Sequence, residues 1–278
     1  MYFHKPLVSV IMSTRNHGYV ISRAIKSVLD QNYTHFEFFI INDGSTDFTE
    51  DVLHTYACKD ARIIILHNKE NIGVPKSFNR ALKRAKGIYV ARIDSDDAWI
   101  GQDKLQKQVN FLECNTDYVA VGGGMIVIDA RGKELFRYLK PETDKDTRKH
   151  ALTTNPIANS TSLCRTETIR MIGGCNEDMK YNEDWDFWLR IGLQGKFYNF
   201  PEFFAYYTTT SENKSVRFLR RHTFAALKVI WCFRYAYPSF TKGFIVNCLQ
   251  LCYSIIPVFL RMKLGPSFSH IKKKIAGS

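Results

Sequence analysis

The sequence predicts an α/β fold, a mostly parallel sheet with helices on both faces, followed by a basic helical tail. Three observations carry that expectation. Between Leu7 and Asp94, strand-like and helix-like segments alternate four times, the pattern of successive βα units. Turn-forming residues close the segments, as at Asn42-Asp43-Gly44 and Asn71-Ile72-Gly73. The charge also changes character near residue 212. All 27 Asp and Glu residues lie at or before Glu212, whereas twelve of the 39 Lys and Arg residues follow it. Residues 1–212 are therefore neutral, and residues 213–278 carry the whole +12. A boundary is expected there, between an α/β domain over 1–212 and a basic, apolar, helical tail over 213–278 with an anionic partner.

Each element has a local reason. Leu7–Met12 is a β-branched first strand, and Tyr19–Leu29 shows helical apolar spacing at Val20, Ala24, Ile25, Val28 and Leu29. Phe36–Ile41 is the second strand. Asp47 with Glu50 has the spacing of a helix cap and its partner, starting a helix through Ala57. Arg62–Leu66 is the third strand, and Pro75 stands in the first turn of a helix reaching Ala85. Gly87–Asp94 is the fourth strand. Beyond it the spacing predicts a helix at Lys104–Leu112 and strands at Tyr118–Val121 and Met125–Ile128 around Gly122-Gly123-Gly124. A hairpin turn at Ala130-Arg131-Gly132 leads into Leu135–Tyr138. A short strand at Ser162–Cys164, helices at Glu167–Ile172 and Asp184–Leu193, and strands at Phe197–Phe200 and Phe203–Tyr207 complete the body.

The tail reads as a basic aromatic helix over Val216–Ala236, then a largely apolar run over Phe244–Leu260. That run is shorter than the roughly 20 residues needed to cross a bilayer. It suits a helix lying in the membrane interface, with Arg261, Lys263 and Lys272–Lys274 facing anionic lipid. The alternative is a helical hairpin packed on the body. No nucleic-acid partner is expected, because the apolar run exceeds what phosphate binding requires. Seven Cys without a regular pattern, and no basic-then-apolar leader, predict reduced thiols and a cytosolic location, peripheral at the inner face of the membrane. Cys248 and Cys252 have no companion pair or His, so no zinc site is expected.

The chain centres on Gly87–Asp97, a buried strand that runs out into Asp94, Asp96 and Asp97. Ligands of open α/β sheets bind beyond the carboxyl ends of strands. Carboxylates so close repel one another unless they share a cation, and hard oxygen donors suit Mg2+ or Mn2+ bridging to phosphates. The plainer alternative is an acidic turn with Asp97 capping a helix.

Six segments together resemble the family 2 glycosyltransferases of the GT-A fold, of bacterial surface-polysaccharide type. They are Val8–Asn16, Ile41–Asp47, Asn71–Leu82, Gly87–Asp97, Ile172–Gly174 and Asn182–Arg190, in the family's order over roughly residues 7–210. The resemblance implies inverting transfer of a sugar from a nucleotide diphosphate sugar with Mn2+ or Mg2+. It implies donor binding by Thr14, Asn16, Asp43, Lys76, Asn79, Arg92, Asp94 and Asp96, with Asp96 and Asp94 on the metal. Asp43 is able to accept the imide N–H of uracil, which points to a UDP-sugar; it also suits a plain turn before Gly44. Lys76 and Arg92 offset diphosphate charge or are solvated surface charges. Asp184 resembles the family's catalytic base, with Glu183 and Asp186 as alternatives and an acidic first helical turn as the structural reading. Glu183 and Trp185 are expected at the acceptor, a glycan or lipid-linked precursor, while Trp188 reads as core.

The sequence departs from the family in two places. Phe78 stands before Asn79 where the family often has Arg, and Asn159 stands where it often has His. The QxxRW element of processive synthases is missing, so one sugar per encounter is expected. Two other functions compete. A nucleotidyltransferase needs a Gly-rich basic triphosphate loop, which Ser13–Gly18 does not supply. A non-catalytic nucleotide-sugar or membrane-binding module would not need Asp94, Asp96 and Asp184 together.

Overall fold

The structure is a computed structural model that describes residues 5–210 and 218–256. Strands β1 (Val8–Thr14), β2 (Phe36–Asp43), β3 (Ile63–Asn68) and β4 (Tyr89–Arg92) lie in the order β3-β2-β1-β4, all parallel. Helices α1 (Ile21–Leu29), α2 (Thr49–Ala57) and α3 (Val74–Leu82) connect them. Alternation along β1 and β2 creates the layers. Val8, Val10 and Met12, with Phe38 and Ile40, pack with Ile21, Ile25 and Val28 of α1. Ile11, Phe39 and Ile41 turn to the other face and pack with Phe78, Ala81 and Leu82 of α3. Successive strand side chains point to opposite faces, so both faces of these strands are covered.

Beyond β4 the sheet becomes mixed. It gains β5 (Ala98–Trp99), β6 (Tyr118–Ile128), β7 (Glu134–Tyr138), β8 (Leu163–Arg165) and β9 (Lys196–Thr208). The full order is β3-β2-β1-β4-β8-β6-β9-β5, with β7 beside β6. Only β6 and β9 are parallel in this half. The strands expected on either side of the glycine run are one strand, β6. A Cβ on Gly123 would stand 2.5 Å from the Phe204 ring, and one on Gly122 would stand 2.6 Å from Asn199 Oδ1. The glycines thus let β9 approach, rather than break the strand. The two expected final strands are likewise one. Gly122 pairs with Asn199 and Gly124 with Phe203, so Pro201 sits where β9 bulges away from the ladder.

Helices α4 (Lys104–Cys114), α5 (Asp144–His150), α6 (Thr166–Met171) and α7 (Glu183–Gly192) fill in the body. The sequence reading passed over α5, although its cap is local: Thr143 Oγ1 accepts the Asp146 N–H at 3.2 Å.

Two helices follow the body, α8 (Leu219–Cys232) and α9 (Phe240–Ile255). Ala226, Val229, Ile230, Phe233 and Tyr237 form a third core with Trp185, Leu189, Ala151 and Leu152. The Tyr237 hydroxyl donates to the Leu189 carbonyl at 2.7 Å. Gly243 of α9 lies so close to Leu152 that a Cβ there would be 2.2 Å from its carbonyl oxygen. This part of the tail is therefore a helical pair packed on the body. The outward face carries Phe224, Trp231, Phe244 and Ile245, all substantially exposed. Among the described residues no helix is long and apolar enough to cross a membrane. The charges at Lys214, Arg217, Arg261, Lys263 and Lys272–Lys274, and the end of the apolar run, lie outside the described residues, as does the boundary at 212.

Candidate active site

The chain leaves β1 toward β2 and β3, then returns to place β4 on the other side of β1. Such a switch point opens a crevice at the carboxyl ends of the strands. A cleft of about 490 Å³ lies there. It is lined by Thr14, Asn16, Asp43, Arg92, Asp94 and Asp96 from the strand ends, together with Glu183 and Asp184. Residues from eight separate stretches of the sequence meet in it.

The donor-side loops fasten one another. Asn16, in a left-handed conformation at φ 56°, accepts the Thr46 N–H on its Oδ1 at 2.7 Å, and its own N–H donates to Ser45 Oγ at 3.0 Å. Asp43 at the end of β2 accepts from Asn68 Nδ2 at 2.8 Å and from the Ile72 N–H at 2.9 Å on Oδ1, and from the Gly73 N–H at 2.9 Å on Oδ2. A carboxylate has about four acceptor sites, so Asp43 organises the 71–73 loop and retains acceptor capacity on Oδ2. Thr14 Oγ1 is buried with no partner among the described residues.

The acidic run divides three ways. The Asp94 N–H donates to Ser160 Oγ at 3.0 Å, and Asp94 Oδ1 accepts from Asn159 Nδ2 at 3.0 Å. Asp96 lines the cleft, while its backbone carbonyl accepts from Arg23 Nη2 at 2.8 Å and Thr208 Oγ1 at 2.7 Å. Asp97 is withdrawn. It is 1% exposed and accepts from the Ser160 hydroxyl and the Thr208 N–H, so it neither reaches the cleft nor caps a helix. Burial, then the charges of Asp94 and Asp96, hold its carboxyl well above the usual range. Burial followed by Asp94 also raises Asp96.

Two hard carboxylates remain facing the cleft, and Asn159 Oδ1 beside Asp94 is buried without a partner among the described residues. Those donors fit a divalent cation that takes its other oxygens from a diphosphate and water. No group of three or more His, Cys, Asp or Glu among the described residues stands ready to hold an ion without such a co-ligand.

Arg92 is no solvated surface charge. It is 5% exposed, and its guanidinium lies over the rings of Phe78 at 4.5 Å and Phe187 at 5.0 Å. Phe78, at the place where the family often has Arg, is therefore a platform for Arg92. Asp184, also lining the cleft from the first turn of α7, accepts from Asn155 Nδ2 at 2.7 Å and from the Trp185 N–H at 2.9 Å. Burial raises its carboxyl, Arg92 opposes that, and Asp94 adds to it.

Three expected site residues stand elsewhere. Lys76 is exposed and lies outside the cleft lining. Asn79 is buried as a tie: its Nδ2 donates to the Cys175 carbonyl at 2.8 Å and to Glu177 Oε1 at 2.9 Å, and its Oδ1 accepts the Cys175 N–H at 2.8 Å. Trp185 belongs to the core beneath α8, its indole N–H donating to the Ala151 carbonyl at 2.7 Å. Asp186, an alternative base, pairs with Arg190 at 2.8 Å and does not line the cleft. Trp188 is fully buried, as expected.

The structure also brings in His17, Lys180, Asn182, Tyr207 and His222, none of which the sequence singled out as site residues. Asn182, left-handed at φ 55°, donates from Nδ2 to the His222 carbonyl at 2.6 Å, joining α8 to the turn before Asp184. An Asn before an acidic helix start was the one local signal for it.

This cleft and sheet define a GT-A glycosyltransferase fold. The family model for glycosyl transferase family 2 matches residues 9–169, and the chain belongs to that family. A glycosyltransferase of Haemophilus influenzae, itself uncharacterized, is 34% identical over 71% of this chain and 64% of its own length. EpsE of Bacillus subtilis, named as a glycosyltransferase, is 34% identical over 71% of each chain. TuaG of the same organism, named for teichuronic acid biosynthesis, is 47% identical, but over 39% of this chain and 42% of its own. The chain thus spans less than two thirds of the first and third of these relatives. Two solved structures share the fold. S. aureus TarS 1-349 in complex with UDP-GlcNAc has a TM-score of 0.68 at 18% identity, covering 94% of this chain and 78% of that one. The Pyrobaculum calidifontis mannosyltransferase PcManGT, in complex with GDP-Man and Mn2+, has a TM-score of 0.65 at 16% identity, covering 96% and 81%.

Proposed function

We propose that this protein transfers one sugar per encounter, with inversion, from a UDP-sugar to a glycan or lipid-linked precursor of a surface polysaccharide, with Mn2+ or Mg2+, at the inner face of the cell membrane. The observation that carries the reading is one cleft lined both by Asp94 and Asp96, just beyond β4, and by a half-buried Asp184 at the start of α7. Asp43 and the loops it holds receive the nucleotide. Asp94 and Asp96 would hold the divalent ion, which supplies charge neutralisation to the departing diphosphate. Arg92, braced by its two rings, adds a fixed positive charge in the same cleft.

Asp184 accepts the proton of the acceptor hydroxyl as that oxygen attacks the anomeric carbon from the face opposite the diphosphate. Burial and the nearby Asp94 make its carboxylate a stronger base than a surface Asp, and Arg92 opposes that rise. The solved relatives hold UDP-GlcNAc in one case and GDP-Man with Mn2+ in the other, so the preference for UDP rests on Asp43. Titration calorimetry with UDP and GDP in Mn2+ tests it. UDP is expected to bind more tightly, and tighter GDP binding refutes the donor assignment.

The membrane reading draws on the α8–α9 pair. Phe224, Leu227 and Trp231 line a shallow apolar groove with Lys228 at its edge. Lys228 lies over Phe224 at 5.0 Å and Arg234 over Trp231 at 4.8 Å. Aromatic side chains with cations at their margin suit the headgroup level of an anionic bilayer.

A further inference from the structure

The Asp184 carboxylate is gripped from behind. Asn155, which donates to its Oδ2 at 2.7 Å, does not line the cleft. The Asn155 backbone carbonyl accepts from Lys140 Nζ at 2.7 Å, and Lys140 also bonds Thr154 Oγ1 at 3.1 Å. Lys140 stands just beyond β7, so the contact ties three distant parts of the sequence: the end of β7, the 154–155 turn and the start of α7. Asn155 Oδ1 is buried with no partner among the described residues, so the bond to Asp184 is what orients that amide. Burial lowers the Lys140 ammonium to about 8, against the charge of Asp184.

We propose that Asn155 is a positioning residue for the transfer: it fixes the plane of the Asp184 carboxylate, and Lys140 fixes Asn155. This rests on Asp184 being the base. With Oδ2 held by Asn155 and Oδ1 by the Trp185 N–H, the remaining lone pairs are presented in one orientation to the acceptor. The bond also favours the ionised form. The titratable and charged groups facing Asp184 are Arg92 at the end of β4 and Asp94 beyond it, Tyr138 at the end of β7 and Lys140 beyond it, Cys175, and Glu183 on its own helix.

Two variants test the proposal. Asn155→Ser stays polar but is too short to reach Asp184, and Asn155→Asp keeps the shape while replacing the donor with a second carboxylate. Each is made in the wild-type and Asp184→Ala backgrounds. UDP release from UDP-GlcNAc with Mn2+, donor affinity and thermal melting are then measured. Asn155→Ser is expected to lower kcat roughly tenfold or more, since a hydrogen bond to a charged group is lost. The acid limb of its pH–rate profile should rise by about one unit. Asn155→Asp should lose more on both counts. Donor affinity should hold, and neither change should cost further rate once Asp184 is gone. Equal losses in both backgrounds, or donor affinity falling with rate, overturn the proposal. If Asn155→Ser does not fold, the isosteric Asn155→Asp decides by the same criteria. If the wild type releases no UDP, UDP-GlcNAc is not its donor, and the cycle is read in melting instead. A Tm loss from Asn155→Ser that disappears in the Asp184→Ala background upholds the contact, and an undiminished loss overturns it.

Discussion

Asp184→Asn separates chemistry from binding. In the wild type Asp184 accepts from the Trp185 N–H on one oxygen and from Asn155 Nδ2 on the other. The variant keeps the first bond. At the second, the new amide nitrogen would face the Asn155 nitrogen, but Asn155 Oδ1 has no partner to lose among the described residues, so a flip of that amide restores a bond. The fold should therefore survive. Because the Asp184 carboxyl is raised by burial, the folded protein holds a proton there that the unfolded chain has released. That makes stability fall as pH climbs from the unfolded pKa of about 4 through the folded value. Above that window the variant should melt at or above the wild-type temperature, and the two should converge in acid. Turnover should drop about 10²–10⁴-fold, the contribution of a positioned base, or about 3–5 kcal/mol of barrier. Donor and metal affinity should barely move, because the proposed function assigns those contacts to Asp43, Asp94 and Asp96. Turnover, donor affinity and melting on one preparation decide the matter. A folded variant with near-normal turnover removes Asp184 from the chemistry, and loss of donor binding makes it a donor-site residue.

Other outcomes follow from the same geometry. Asp96→Ala should abolish the Mn2+ dependence of donor binding measured by calorimetry; unchanged dependence places the metal elsewhere. Asp97 is not a candidate for that other site, given its burial against Ser160 and Thr208. Ser160→Ala removes a bond to the Asp94 N–H and one to the Asp97 carboxylate, and should cost about 1–3 kcal/mol in chemical denaturation. Paired Phe224→Ser and Trp231→Ser changes should weaken co-sedimentation with anionic vesicles at low salt while leaving melting unchanged. Undiminished co-sedimentation would move lipid contact off α8.

The legible part of this molecule was its local part. The βα alternation through β4 and the strand-end loops could be read because each depends on neighbours in sequence. The glycine run and Pro201 misled for the same reason: they look like breaks until the long β6–β9 pairing, with its bulge, is seen. Nothing in Asp94-Ser95-Asp96-Asp97 distinguishes the third carboxylate from the others. Ser160, 63 residues from Asp97, does so by burying it. Asn79 likewise reads as a donor ligand until Cys175 and Glu177 arrive to claim its amide. Trp185 was readable in principle, since with Leu189 it forms an i, i+4 apolar pair that needed a covering helix.

The bond from Asn182 to the His222 carbonyl gives the tail a second identity. A helix that lines the cleft, and braces the turn leading into Asp184, belongs to the enzyme's body as well as to the proposed lipid contact. A chain cut near Glu212 would bare Trp185 and Leu189 and release that turn, so loss of vesicle binding and loss of turnover would arrive together. Exchanging the tail for another protein's anchor would fail unless the new helix matched the surface formed by Ala151, Leu152, Trp185 and Leu189. Relocating this enzyme by swapping anchors therefore calls for grafts made after Cys232, where α8 is already complete.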